Sequence, residues 1–484
     1  MMKTFLFYDI ETSGLNPAFD QVLTFACIRT DLSLNELARE VITVRLREDI
    51  VPSPGAFLTH GLTPEELSCG ISEYHAAKRI HKLFNTPETI SIGYNSLGFD
   101  DEFLRFLFYR NLLDPYSHQF ANGCSRMDML PVAAIYHLFC EQALSWPVLE
   151  TGKASLKLEH LSLENRFQTS GKAHEAMSDV EALLSLTRIF SAYDDIWEYV
   201  QGFFDKQTDL DRINRLKSTD ISLKSDLEIG LMVSVSFGAD VNYIAPVVYV
   251  GRSVPYKNQS LWVRLDRDDL FESLDDEIGI YELFVIRKKA GDQLFILPTL
   301  DRFWERLTPK AAKACEKNLQ VIRENSNLFF KTIEYHREYK YPDVPDIDLD
   351  ADLYQGGFFK PVEKSEISLF HNAEDKSKFT ILKKFKSARI RDLASRIMVR
   401  NFSEKPDKIP GFIPHLKGLA GDQLGNAVKG YKDDKKLTCA QAILELDEMV
   451  AKGAVEDFDP DQKALFDWLN KYVRRMSAFL TNSL

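Results

Sequence analysis

Two carboxylates one residue apart, Asp9 and Glu11, follow the apolar run Phe5-Leu6-Phe7-Tyr8. Alternate residues of a strand share a face, so both acids converge on one spot, where they repel unless a cation sits between them. A second acidic group, Asp100-Asp101-Glu102, comes after the apolar run Thr89-Ile90-Ser91-Ile92-Gly93-Tyr94 and a short polar turn. A third pairs His174 with Asp179, ahead of an apolar stripe at Val180, Leu183, Leu184 and Thr187. Five helical residues turn by about 140°, so His174 meets Asp179 only from a loop that precedes the helix. Taken singly, each pattern also has an ordinary reading. Many strands end in D-x-E, Asp100 or Asp101 can cap a helix start, and His174 with Asp179 fits a solvated loop histidine and a cap. All three together, in this order and at this separation, form a specific pattern that chance does not readily give.

The elements that must position these residues are readable along the chain. Phe5–Tyr8, Val22–Arg29 and Val41–Leu46 have the composition of strands. Thr63-Pro64-Glu65-Glu66 starts a helix, Thr89–Tyr94 forms a strand and Asp101–Asn111 a helix. Strands first, then helix, strand and helix over residues 1–195, imply a mixed sheet with helices on its faces. Residues 196–348 turn to strands: Met232–Phe237 alternates with period two, and Tyr281–Arg287 with Gln293–Leu297 flanks a hairpin at Ala290-Gly291-Asp292. Thr308-Pro309 begins a helix that runs to about Asn325. Asp343, Asp346, Asp348, Asp350 and Asp352, spaced by Pro342 and Pro345, read as a linker. Helical patterns such as Cys439–Lys452 dominate from 349 to 484.

The chain has 484 residues, which at roughly 150 per domain gives about three domains. An apolar fraction of 45% and a charged fraction of 27% are those of a globular protein. No apolar run approaches the ~20 residues of a membrane span, and Asp9 and Glu11 soon after the start argue against a signal peptide. Cysteines at 27, 69, 124, 140, 315 and 439 form no CxxC pair, the pattern of reduced thiols in a cytoplasmic protein. The net charge of −12 argues against indiscriminate nucleic-acid binding. It is unevenly spread, however: residues 371–400 carry nine Lys or Arg against three acids. That stretch suits either a groove that tracks a phosphate backbone or a solvated helix face.

The D-x-E strand, the aspartate roughly ninety residues on, and the His-x4-Asp helix start resemble the DEDDh 3′→5′ exonuclease superfamily. Further runs are similar to the bacterial exodeoxyribonuclease I family: Phe99-Asp100-Asp101-Glu102, Phe108-Tyr109-Arg110-Asn111, Asp114-Pro115-Tyr116, Leu158-Glu159-His160-Leu161 and Leu353-Tyr354-Gln355-Gly356-Gly357-Phe358-Phe359. The likeness spans essentially the whole chain and is most specific over its first 180 residues. It implies an α/β, ribonuclease H-like mixed-sheet exonuclease domain at 1–195, an SH3-like β-rich domain at 196–348 and an α-helical C-terminal domain at 349–484.

The resemblance also implies a phosphodiesterase that degrades single-stranded DNA from its 3′ end to nucleoside 5′-monophosphates, in repair and recombination. Its cofactor would be two Mg²⁺ ions, with Mn²⁺ as the alternative; such hard ions take oxygen ligands. Asp9 would bridge the two ions, Glu11 and Asp179 would contribute to one or the other, Asp100 would hold the second, and His174 would accept the proton of the attacking water. Glu11, Arg105, Tyr116, Phe120 and Lys157 match substrate positions. At Lys157 the family commonly has arginine, and lysine lacks its bidentate fork. Lys157 also fits a plain surface lysine, and Tyr116 and Phe120 fit core packing. The implied partners are single-stranded DNA and the C-terminal tail of the single-stranded-DNA-binding protein; the implied state is a monomer. Three other readings are an RNA-trimming enzyme with the same site, a silent nuclease-like scaffold, and a polymerase-docked proofreading subunit. The scaffold predicts loss of a carboxylate and the other two a chain without the long C-terminal extension; those features count against all three, with the RNA-trimming enzyme and the scaffold kept as alternatives.

If His174 is the general base, His174→Ala slows the chemical step by roughly 10²–10⁴ in single-turnover assays. A loss of about tenfold or less would assign water activation to the metal alone.

Overall fold

The structure is a computed structural model and describes residues 3–167, 169, 175–216, 227–270, 274–275, 280–281, 283–402, 412–421 and 428–482. Its first sheet contains β1 (Thr4–Thr12), β2 (Val22–Thr30), β3 (Glu36–Thr43), β4 (Thr89–Gly93) and β5 (Ser125–Asp128), in the order β3-β2-β1-β4-β5. β1 is antiparallel to β2 and parallel to β4, and β4 is parallel to β5. The sheet is therefore mixed, as expected. β3 begins at Glu36 and not at Val41, and its residues are largely exposed. It is an edge strand kept polar by Glu36, Arg39 and Glu40, which is why its apolar signal is weak.

The two faces of β1 enter different cores. Phe5 and Phe7 pack with helices Met129–Phe139 and Ala176–Ser191, whereas Leu6, Tyr8 and Ile10 pack with helices Glu73–Phe84 and Asp100–Arg110. By the period of two, Asp9 and Glu11 lie on the face of Phe5 and Phe7.

The second sheet holds β6 (Glu228–Val233), β7 (Ile244–Arg252), β8 (Gln259–Arg264), β11 (Val285–Lys289) and β12 (Phe295–Leu297), in the order β11-β8-β7-β6-β12. The short strands β9 (Leu274–Asp275) and β10 (Ile280–Tyr281) pair apart from it. This is a small antiparallel, SH3-like sheet, and two sequence expectations fail within it. Met232–Phe237 is not one strand: β6 ends at Val233, a 3₁₀ turn covers Val235–Phe237, and Ile229 to Val233 are all buried, without alternation. Nor do residues 281–297 form a hairpin. β11 pairs with β8 and β12 with β6, at opposite ends of the sheet. The intervening loop is held instead by the buried Asp209, whose Oδ2 accepts from Lys288 Nζ at 2.5 Å and from Gly291 N at 3.0 Å. Helix Pro309–Glu324 starts as expected, with the Thr308 side chain accepting from Ala311 N.

Both later regions share apolar cores with the first. Leu231, Val233, Tyr243 and Phe295 join the cluster of Phe5 and Phe7. Ala18, Phe19, Tyr74 and Phe106 pack with Phe370, Leu393 and Ile397.

Charge joins the first and last regions as well. Arg47 pairs with Asp49 at 2.9 Å and with Glu73 at 2.7 Å, and Arg400 pairs with Asp49 at 2.7 Å and with Asp350 at 2.6 Å. All five side chains are at most 3% exposed. Arg396 adds a pair to Asp348 at 2.6 Å. The acidic segment is therefore no solvated linker, since Asp348 and Asp350 face two arginines of helix Ala388–Asn401. The basic stretch is also partly consumed. Arg396 and Arg400 are paired, Lys378 donates to two carbonyls, and Arg389 donates to Gly356 O and Gly357 O. Lys376, Lys383, Lys384 and Lys386 stay exposed.

Burial alone would raise the carboxyl of Asp49, but Arg400, Arg47 and Lys436 hold it well below the usual range. Arg396 and Arg400 do the same for Asp350 against its burial. Arg400→Met takes one cation from each of two buried carboxylates, leaving Asp49 to Arg47 and Asp350 to Arg396, and is expected to cost about 3 kcal/mol in chemical denaturation, the low end for a broken buried pair. Because these folded pKa values are depressed, their stabilisation is complete above the unfolded carboxylate value of about 3.9 and fades as pH falls below it. Wild type should lose that margin in acid melts, and Arg400→Met should lose less.

Candidate active site

Asp9, Glu11 and Asp179 come together. Each offers a carboxylate oxygen, and these atoms all lie within 4.8 Å of one another. Asp9 and Glu11 reach the site from the carboxyl end of β1, opposite Ala26 and Thr24, and a register shift follows Glu11. Asp179 sits in the first turn of helix Ala176–Ser191, which packs across β1 and β2. Val180, Leu183 and Leu184 seat that helix in the core beside Phe5 and Phe7, which turns Asp179 toward the same strand face. His174 lies outside the described residues.

Asp100 arrives from the other layer. β4 ends at Gly93, Asn95 turns the chain at φ 59°, and helix Asp100–Arg110 begins at the carboxyl edge of the sheet. Neither Asp100 nor Asp101 caps this helix, whose N-cap is Phe99 with no side-chain bond. The two aspartates point to different environments. Asp101 binds His118 at 3.0 Å, Arg105 at 2.5 Å and Arg126. Burial opposes its charge, but Arg126 and Arg105 hold its carboxyl far below the ordinary range. Among the described residues Asp100 has no such cation: burial raises its pKa to about 7, with Asp128 and Asp101 adding to the rise and nearby backbone amides opposing it.

The site carboxylates share this unfavourable setting. Burial first, then Asp100, Glu11 and Asp179, push Asp9 well up. Burial, Asp179 and Asp100 push Glu11 up to about 9. A hard divalent cation relieves such crowding, and the all-oxygen donor set fits Mg²⁺ or Mn²⁺. The residues present therefore fit the metal that the resemblance implies.

A cleft of about 500 Å³ opens beside Asp179, with Tyr94, Leu156, Lys157, Val235 and Tyr243 among its walls. It lies between the first sheet's helices and the SH3-like sheet. Tyr243 Oη donates to Ala154 O at 2.7 Å, Tyr94 Oη donates to Leu156 O, and Lys153 pairs with Asp240. Lys157 stands at the N-cap of helix Leu158–Glu164, with its side chain 70% exposed and 3.2 Å from Glu159.

The other expected substrate positions lie along the far side of helix Asp100–Arg110. Arg105 is bonded within the protein, to Asp101, Glu102 and the Tyr354 hydroxyl. Tyr116 lies 6.0 Å from the Arg105 guanidinium and edge-on to Phe358 at 5.5 Å. Phe120 and Phe358 are 63% and 81% exposed, so neither is core. Sequence reasoning missed Asp128, although it ends strand β5 much as Asp9 ends an apolar run. It is fully buried and accepts backbone N–H bonds from Asn95, Leu97 and Leu130.

Comparison with known proteins points to one family. An exonuclease family model matches residues 6–187. Exodeoxyribonuclease I of Escherichia coli (strain K12) is 30% identical over 484 aligned residues, covering 93% of this chain and 98% of that protein. A zinc-bound crystal structure of the E. coli enzyme with single-stranded DNA superposes with a TM-score of 0.80 at 26% identity, covering 98% of this chain and 100% of that one. A structure described as SSB/exonuclease I with the inhibitor CFAM gives 0.78 at 25% identity over the same shares.

Carboxylate crowding predicts a trade between stability and function. In EDTA at pH 8, Glu11→Gln should melt above wild type, by about 1 °C for each roughly 1 kcal/mol of repulsion relieved. Mn²⁺ should raise the wild-type midpoint more than that of the variant.

Proposed function

Because the chain belongs to the exodeoxyribonuclease I family, we propose that it hydrolyses single-stranded DNA from the 3′ end to nucleoside 5′-monophosphates with two Mg²⁺ ions. The observation that carries this reading is the convergence of Asp9, Glu11 and Asp179 within 4.8 Å, with the charge of Asp100 close enough to act on both β1 carboxylates. These four residues would hold the metal, which activates water and stabilises the leaving oxygen of an in-line displacement. His174, placed by resemblance, takes the proton from the attacking water.

The remaining groups serve binding. Tyr94, Leu156 and Tyr243 give the cleft apolar and aromatic surface on which a base can rest without being read. Lys157 faces the same cleft and supplies a positive charge for the backbone. Exposed Phe120 and Phe358, with Tyr116, extend stacking surface along the strand's path. Arg105 supports this wall through Asp101, Glu102 and Tyr354. We further infer a monomer that works in the cytoplasm in repair and recombination. Its partner is the C-terminal tail of the single-stranded-DNA-binding protein, in keeping with the SSB complex of the related enzyme.

The test is a gel time course with Mg²⁺ on 5′-labelled single-stranded DNA, its duplex and an RNA of the same sequence. Wild type should give a ladder shortening from the 3′ end on single-stranded DNA only. Asp9→Ala should retain the fold and lose hydrolysis; a residual rate above about a tenth of wild type would sink the two-metal assignment. Faster cutting of RNA would keep the site and overturn the substrate.

A further inference from the structure

We propose that Gln293, from the loop between β11 and β12 of the SH3-like sheet, is a positioning residue for Asp100. The proposal rests on the exonuclease reading in taking Asp100 as a ligand. Asp100 follows a turn that bonds back on itself only through the backbone: Gly98 N donates to Asn95 O at 3.1 Å, and Phe99 N and Asp101 N donate to Ser96 O at 3.4 and 2.8 Å. Asp128 clamps this turn from below. Its Oδ1 accepts from Asn95 N at 2.8 Å and Leu130 N at 3.0 Å, and its Oδ2 accepts from Leu97 N at 3.0 Å. The fourth donor comes from the other sheet: Gln293 Nε2 donates to Asp128 Oδ2 at 2.7 Å and lies 3.4 Å from Asn95 Oδ1.

Without that amide, a wholly buried carboxylate oxygen would keep only the Leu97 N–H. A buried acceptor with missing partners pulls on whatever donors remain. Here the remaining donor is part of the turn, three residues before Asp100. The contact is also sterically fitted. A Cβ at Gly98 would lie 3.1 Å from Asn95 Oδ1 and 3.2 Å from both amide atoms of Gln293. The loop that presents Gln293 is itself anchored through Asp209, Lys288 and Gly291 N. An unbroken chain of bonded groups thus runs from helix Lys206–Asn214 through the second sheet to the turn that aims Asp100.

Three full-length variants test this. Gln293→Ala removes the donor. Gln293→Glu keeps shape and packing but sets an acceptor against Asp128. Gly98→Ala displaces the amide without deleting it. Outer partners of metal ligands commonly change affinity or activity by about 10–100-fold. Each variant should therefore lower kcat on single-stranded DNA by about tenfold or more, with KM changed by less than about twofold. Mn²⁺ binding measured by titration calorimetry should weaken in parallel. A kcat and Mn²⁺ affinity within about twofold of wild type would overturn the proposal. So would a rise in KM alone, which would make Gln293 a DNA contact, or a lowered melting midpoint with unchanged kcat, which would make it merely structural. A wild type that binds Mn²⁺ but leaves DNA intact would refute the exonuclease reading, and the Mn²⁺ titrations would still decide the role of Gln293.

Discussion

Carboxylates held within 4.8 Å of one another repel, and that repulsion grows as water is excluded. The backbone of β1 places Asp9 and Glu11 on one face but cannot by itself keep them facing Asp179 and Asp100. Rigidity has to come from outside the strand. Phe5 and Phe7 lock one side of it to the helix that carries Asp179, and Leu6, Tyr8 and Ile10 lock the other to the helix that carries Asp100. The strand is the seam between two cores, and the charged ends of both layers meet where it emerges. A site built this way holds charges that the fold alone would separate, and divalent cations are what make it favourable.

The two additional regions extend the same bracing. The SH3-like sheet shares apolar core with the first sheet and grips the cleft wall at Ala154 and Lys153, through Tyr243 and Asp240. The helical region covers the opposite side through Phe370, Leu393 and Ile397, and adds the buried arginine–carboxylate network. Such a network contributes less net stability than its close distances imply, because every ion in it has been desolvated. What it supplies is direction. Arg400 can satisfy Asp49 and Asp350 together in only one docking of the last region on the first.

How much of this the sequence discloses depends on how far apart the partners are. Asp9 and Glu11 are legible because strand period two is local, and Asp179 because an apolar stripe marks its helix. Asp100 and Asp101 are indistinguishable in sequence, since the choice between them is made by Arg105, Arg126 and His118 folding around one of the two. The acidic run at 343–352 looks like a linker for a similar reason: the arginines that neutralise Asp348 and Asp350 lie 48 and 50 residues further on. β6 defies its alternation because both of its faces are buried, and β11 and β12 pass for a hairpin because their true partners, β8 and β6, lie earlier in the chain. Gln293 has no local signature at all; it meets Asp128 across 165 positions.

The ion pair between Asp49 and Arg400 spans 351 positions. β1, β2 and β3, by contrast, are complete within the first 43 residues and pair with their neighbours in sequence. Contacts so different in loop length form at different times, since long loops are closed last. As the chain leaves the ribosome, the strands that carry Asp9 and Glu11 can assemble, and Glu73 can find Arg47 and Arg110, while Asp49 still awaits the final third of the polypeptide. Until Arg400 is synthesised, Asp49 has only Arg47 to answer its charge and stays open to water. The last region therefore acts on the nascent protein as a late-arriving counterion, and any chain truncated before residue 400 keeps the strand of Asp9 and Glu11 but loses the charge that closes on Asp49.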